Sequence, residues 1–140
     1  MRPLQIGVCH WSLAIPDLAE ALDTIRNQLG LQLVHLGFFD DGYRDPGRIL
    51  DTVQASGLEV SATCVGFAGE DYSTIQRIEE TGGYMPDDDW HRRLAKTVAV
   101  ADITARLGTR LLSVHLGLSL IHISEPTRLL SISYAVFCLK

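Results

Sequence analysis

Four apolar runs of strand length, set apart by stretches with helical spacing, constrain this chain more than any other feature. They are Gln5 to Leu13, Leu31 to Phe39, Leu58 to Phe67 and Thr109 to Gly117. Between the first two, Leu18, Leu22, Ile25 and Leu29 recur at helical intervals after a helix start at Pro16, with acidic Asp17 and Glu20 in the first turn and Gly30 just past the end. Between the next two, Asp45-Pro46 supplies a cap and a first-turn proline for a helix through Ser56 that Gly57 closes. Before the fourth run, Asp87-Asp88-Asp89 places carboxylates at a helix start, where they complement the helix dipole. Trp90, Leu94, Val98, Ala101 and Ala105 then form one apolar stripe that ends at Gly108. Residues 68–86 interrupt the rhythm, and a connection of that length predicts a functional loop carrying a small helix of its own.

The order βαβαβαβ predicts a parallel sheet with right-handed crossovers. A stretch such as LQLVHLGFF, apolar almost throughout, suits a strand covered on both faces. A doubly wound nucleotide-binding sheet would need a glycine-rich turn after its first strand, and Cys9-His10-Trp11-Ser12 is the wrong chemistry for it. A barrel of alternating strands and helices carries its functional groups at strand C-termini, where His10, Trp11, His35 and His115 fall. The expected fold class is therefore α/β, a truncated (β/α)8 TIM barrel with about four N-terminal parallel strands and three intervening helices. Val34-His35-Leu36-Gly37 also recurs as Val114-His115-Leu116-Gly117, on the second and fourth strands, which share interior layers in such a barrel.

Strand alternation predicts which side chains face inward. On the fourth strand Leu112, Val114 and Leu116 should face the helices, leaving Ser113 and His115 inside. On the second, Val34, Leu36 and Phe38 should do the same, leaving His35 inside. On the third, Ser61 and Thr63 fall on the inner phase, with Val60, Ala62 and Cys64 outside; the first strand is ambiguous.

Net charge is −5, with no run of Lys or Arg, which argues against nucleic acid as the main partner. Neither a signal peptide nor a membrane span is legible in MRPLQIGVCHWSL, so cytoplasm is the default location and no membrane partner is expected. Cys9 and Cys64 form no CxxC pair and read as buried thiols in a reducing compartment.

The words GVCHWSL, VHLGFFD, VSATCVGF, TGGYMPDDDW and RLLSVHLG together resemble the N-terminal half of a sugar phosphate isomerase/epimerase. That is the xylose isomerase-like TIM-barrel superfamily, which also holds the family 2 AP endonucleases. The resemblance covers essentially all of residues 1–117. It implies a metal-dependent isomerase or epimerase of a small sugar or polyol, acting by enediolate proton transfer. A divalent ion (Mn2+, Mg2+, Co2+ or Zn2+) is expected for the full-length protein, with a homo-oligomer as one arrangement. The family's catalytic glutamates and metal ligands lie on strands five to eight, beyond Gly117. No catalytic or metal-binding residue is assigned here, and the fragment is expected to bind no metal and to be inactive. The resemblance carries over on the substrate side: Trp11 matches an aromatic wall, and His115 matches a His-x-Gly word that binds metal in the endonuclease branch. His35 stands where many relatives have Glu, and Cys64-Val65-Gly66-Phe67 replaces the strand-three His of the endonucleases.

The substrate-binding candidates are thus His10, Trp11, His35 and His115. Each also has a plainer reading: the histidines as structural groups and Trp11 as core. Glu70, Asp71 and Tyr72 read as a solvated loop on the active-site side, Asp87 to Asp89 as a helix cap, Arg92-Arg93 as a solvated helix face, and Cys64 as no nucleophile. The alternatives to an isomerase are a non-catalytic sugar-binding barrel and an AP endonuclease-like repair enzyme.

Residues 118–140 read differently. Leu118 to Arg128, LSLIHISEPTR, and Ile132 to Leu139, ISYAVFCL, resemble codon by codon the conceptual translation of a tagmentation-type sequencing adapter, with room for an index barcode between them. The expected organisation is half a barrel over 1–117 followed by a non-native tail over 118–140. Half a barrel leaves the first and fourth strands as apolar edges, open to aggregation or to pairing with the tail, so low solubility is expected.

Overall fold

A computed structural model describes residues 4–118 and 132–138. Its strands are β1 (Gly7–Cys9), β2 (Leu33–Phe38), β3 (Glu59–Val65), β4 (Leu111–Leu118) and β5 (Ile132–Cys138). Its helices are α1 (Leu18–Asp23), α2 (Pro46–Ser56), α3 (Ile75–Thr81) and α4 (Trp90–Arg106). Strands β1 to β4 pair in sequence order and all in parallel, with helices between them, as a truncated barrel requires.

Asp45 caps α2 as expected, while Asp17, expected inside the first turn, is the N-cap of α1 and Thr74 that of α3. Asp17 accepts the Glu20 N–H at 3.0 Å, Asp45 the Arg48 N–H at 3.1 Å, and Thr74 the Arg77 N–H at 3.2 Å. Gly57 closes α2 at φ 65°, a left-handed conformation that a side chain would strain. The predicted helix within the long loop is α3.

The core lies between the sheet and the helices, built from Leu22 and Ile25, Val34, Leu36 and Phe38, Ile49 and Val53, Val65, Val100, Ile103, Leu112 and Val114. Each such side chain contributes roughly 1.5–3 kcal/mol by leaving water. As expected, β2 alternates between buried Val34, Leu36 and Phe38 and half-buried His35.

Three expectations are corrected. On β3 the side chains on the helix side are Val60, Thr63 and Val65, so Thr63 points outward to the helices. The cause is a bulge: Val34 pairs with Val60 but His35 pairs with Ala62, and the extra residue, Ser61, reverses the phase of the strand beyond it. Second, α1 passes into a π-helical turn over Thr24–Gln28, which carries Leu29 off the buried face and leaves it half exposed. Third, the apolar stripe of α4 is its outer face. Trp90, Leu94 and Val98 are exposed, whereas Arg93, Lys96, Thr97, Val100, Ile103 and Thr104 are buried. Polar groups occupy the inner face because backbone carbonyls there accept their hydrogen bonds: Arg93 donates to Thr81 and Gly83, Lys96 to Asp40, Thr97 to Arg93 and Thr104 to Val100.

The expectation for residues 118–140 falls mostly on 119–131 and 139–140, outside the described residues. Within it, β5 pairs antiparallel with β4 from Leu111↔Cys138 to Leu118↔Ile132. Edge β4 is thus paired by the tail, and β1 remains an open edge of the sheet among the described residues.

Candidate functional site

The C-terminal ends of β1 and β2 bring three of the four candidates together. After Cys9 the chain turns through a single 3-10 turn, His10–Leu13, that sets His10 and Trp11 over β2. The Trp11 ring meets His10 edge-on at 5.7 Å, His35 at 5.0 Å and Phe39 at 5.2 Å between centroids. His10 Nδ1 accepts the backbone N–H of Gly37 at 3.1 Å, so that nitrogen carries a lone pair and the proton of the neutral ring lies on Nε2. Burial lowers the His10 pKa, opposed by a backbone hydrogen bond at His35 and the charge of Asp40.

Gly37 and Gly66 make the room for this cluster. A Cβ at Gly37 would run into the Phe39 ring and come within 2.7 Å of Trp11 Cε3, and one at Gly66 would lie 2.5 Å from Phe39 Cδ1. Phe39, which no sequence pattern singled out, is therefore the wall against which Trp11 is set. Its signal was indirect: a glycine two residues ahead on the same strand and another just past the end of the next.

The sheet's inner face continues through Cys9, whose Sγ lies 3.8 Å from His35 Nδ1, and through Cys64 and Ser113. Burial pushes both thiols up in pKa. His35 Nε2 is buried with no hydrogen-bond partner among the described residues.

His115 stands apart, two strands from His35 on β4. Its Nδ1 is 2.8 Å from the Tyr72 hydroxyl, and the rings meet edge-on at 5.8 Å. The loop that delivers Tyr72 is pinned by Glu70, whose carboxylate accepts from Phe67 N–H at 2.9 Å and Gly83 N–H at 2.8 Å. Asp71 accepts from the hydroxyl and the N–H of Ser73 and from the Arg77 guanidinium, which hold its pKa at about 2. The solvated-loop reading is thus corrected for Glu70, which is a structural clamp. Arg93 is corrected as well: it is 3% exposed, ion-paired with Asp89 at 3.5 Å and stacked on Phe67 at 5.0 Å. Asp89 serves Arg92 and Arg93 and makes no side-chain cap.

These residues do not fit a metal. Among the described residues no three or more His, Cys, Asp or Glu side chains converge as a cage, and His10 already spends Nδ1 on Gly37. What the inner face offers is an aromatic wall with imidazoles beside it, suited to the C–H faces and hydroxyls of a small polar ligand.

The chain superposes on a solved structure of a xylose isomerase domain protein from Planctomyces limnophilus with a TM-score of 0.65, at 20% identity. What they share is the fold. The match takes in 84% of this chain and 43% of that one, so the chain spans less than half the length of that xylose isomerase domain protein. No family model and no curated protein matches the sequence. The architecture is part of a barrel of alternating strands and helices, and no described helix is long and apolar enough to cross a membrane.

Proposed function

We propose that this chain belongs to an isomerase or epimerase of a small sugar or polyol, with the inner-face cluster as part of its substrate wall. The observation that supports this is the convergence of Trp11, His10 and His35 at the ends of β1 and β2, in a sheet of barrel type. The Trp11 ring packs on a sugar's C–H face, while imidazole nitrogens exchange hydrogen bonds with its hydroxyls. In this reading the proton-transferring groups and a divalent ion belong to strands that come after β4 in the complete protein, and residues after Gly117 are non-native.

The test begins with the source locus, sequenced across the codon for Gly117 with primers outside the adapter-like junction. The complete gene product is then incubated with ketoses and aldoses in deuterated water, with and without divalent ions. Metal-dependent exchange of a carbon-bound proton next to the carbonyl is the expected result. No exchange with any sugar, despite saturable sugar binding by calorimetry, would favour the non-catalytic sugar-binding barrel. The net charge of −5 tells against the repair-nuclease reading.

A further inference from the structure

Lys96 is 8% exposed and carries its ammonium into a cleft of about 420 Å3 between the loop after β2, the start of the loop after β3 and the first turns of α4. Its Nζ donates to the Asp40 carbonyl oxygen at 3.0 Å and lies 5.2 Å from the centre of the Tyr43 ring. A buried ammonium is costly unless a counter-charge meets it. Among the described residues no carboxylate forms an ion pair with Lys96.

The acidic groups around it are already engaged. Asp40 Oδ1 accepts the Gly42 N–H at 2.8 Å, Asp41 pairs with Arg44 at 3.3 Å, and Glu70 holds the two backbone N–H groups of its clamp. Arg44, Arg92, Arg93 and Lys96 line the cleft with Asp40 and Asp41; Arg44 pairs with Asp41, and Arg92 and Arg93 pair with Asp89, so Lys96 is the lining cation with no ion pair among the described residues. An ammonium has three donors, and the Asp40 carbonyl occupies one of them.

We propose that this cleft binds a small anion of the phosphate or carboxylate type, with Lys96 as its principal charge partner and Arg44 and Arg92 at the mouth. Phe39, Tyr43 and Phe67 supply apolar walls for whatever carries the anionic group. Phe39 also touches Trp11, so the cleft and the inner-face cluster share a wall. The proposal nonetheless needs nothing from the isomerase reading and is measured on this chain as it stands.

The chain contains two lysines, Lys96 and Lys140, which makes lysine acetylation followed by peptide mass spectrometry self-referenced. Inorganic phosphate, acetate and chloride are compared at equal ionic strength. Saturable slowing of acetylation at Lys96 by phosphate or acetate, with Lys140 unaffected, is expected; protection no greater than in chloride overturns the proposal. In a phosphate titration followed by NMR, Lys96→Met should weaken binding by about tenfold, the loss of one charge-assisted contact. Should Lys96→Met fail to fold, the double variant Arg44→Gln/Arg92→Gln, altered only at exposed rim positions, should weaken phosphate binding several-fold, and unchanged affinity would count against the site.

Discussion

Thr63 Oγ1 on β3 and Thr104 Oγ1 on α4 lie 2.6 Å apart with neither residue accessible to water. The Thr104 hydroxyl donates to the Val100 carbonyl at 2.6 Å, so its single proton is taken and Thr63 is the donor between the two. The other acceptor near Thr63, the Leu111 carbonyl, is 3.5 Å away. Removal of the two hydroxyls should therefore be unequal. Thr104→Val leaves a buried donor without a good acceptor and should cost about 1–3 kcal/mol, while Thr63→Val removes the donor itself and should cost about 1 kcal/mol or less. The double variant should be less damaging than the sum. Urea titrations followed by Trp fluorescence measure all three, and equal losses for the two single variants would contradict the assigned direction.

His10 gives the fold a dependence on acid. Burial holds its folded-state pKa below the ordinary imidazole value of 6.5, so below that value the unfolded chain takes up a proton that the folded chain does not. Stability from this group is complete above 6.5 and declines as pH falls through the ordinary value towards the folded one. Protonation of Nδ1 would also break the Gly37 N–H bond. In His10→Asn, whose amide oxygen is offered to the same N–H, the drop in unfolding midpoint between neutral and mildly acidic pH should shrink. A drop as large as in the parent chain would place the acid sensitivity elsewhere.

Much of the fold was legible because its signals are local. Asp17, Asp45 and Gly57 act on their own helix ends, and the β2 alternation of Val34, Leu36 and Phe38 is undisturbed from end to end. Thr63 was misplaced because a bulge at Ser61 is a property of strand pairing, and nothing in SATCV announces it. The face of α4 was misread because apolar periodicity marks a face to be covered without saying which neighbour covers it. Its Arg93 and Lys96 are buried on bonds to the carbonyls of Thr81, Gly83 and Asp40, all distant in sequence. The nearness of His10, Trp11 and His35 follows from their place at strand ends. Phe39 and the Tyr72–His115 pair depend on contacts that no spacing rule encodes.

The two glycines under Phe39 give a test of the aromatic wall. Gly37→Ala would drive a methyl group into Phe39 and Trp11, and Gly66→Ala into Phe39, with Glu70 Oε2 at 3.4 Å and Trp11 not among its near contacts. Overpacking of this kind costs typically about 1–3 kcal/mol. Gly37→Ala should shift Trp11 fluorescence and weaken sugar binding by the complete protein more than Gly66→Ala does. Indistinguishable Trp11 spectra for Gly37→Ala and the parent would remove Phe39 and Trp11 as a packed unit.

The outer face of α4 and the neighbouring strand form an apolar groove lined by Tyr84, Trp90, Leu94, Ala101, Leu112 and Leu116. Val98 is 62% exposed on the same helix. Thr97, which also lines the groove, shares its hydroxyl with the Arg93 carbonyl and the Tyr84 hydroxyl, and among the described residues the β1 edge is open as well, with Leu4 and Ile6 largely exposed just ahead of it. The isolated chain should therefore self-associate as its concentration rises. Because Leu94 and Val98 are already solvent-facing, Leu94→Lys/Val98→Lys should leave helix content unchanged while lowering the weight-average mass in sedimentation. Ile6→Lys, placed beside the strand edge, should act separately and add to it. If the groove drives association, the helix variant has the larger effect; if strand pairing at β1 drives it, Ile6→Lys does. A parent chain that stays monomeric at every concentration would show that neither surface is adhesive.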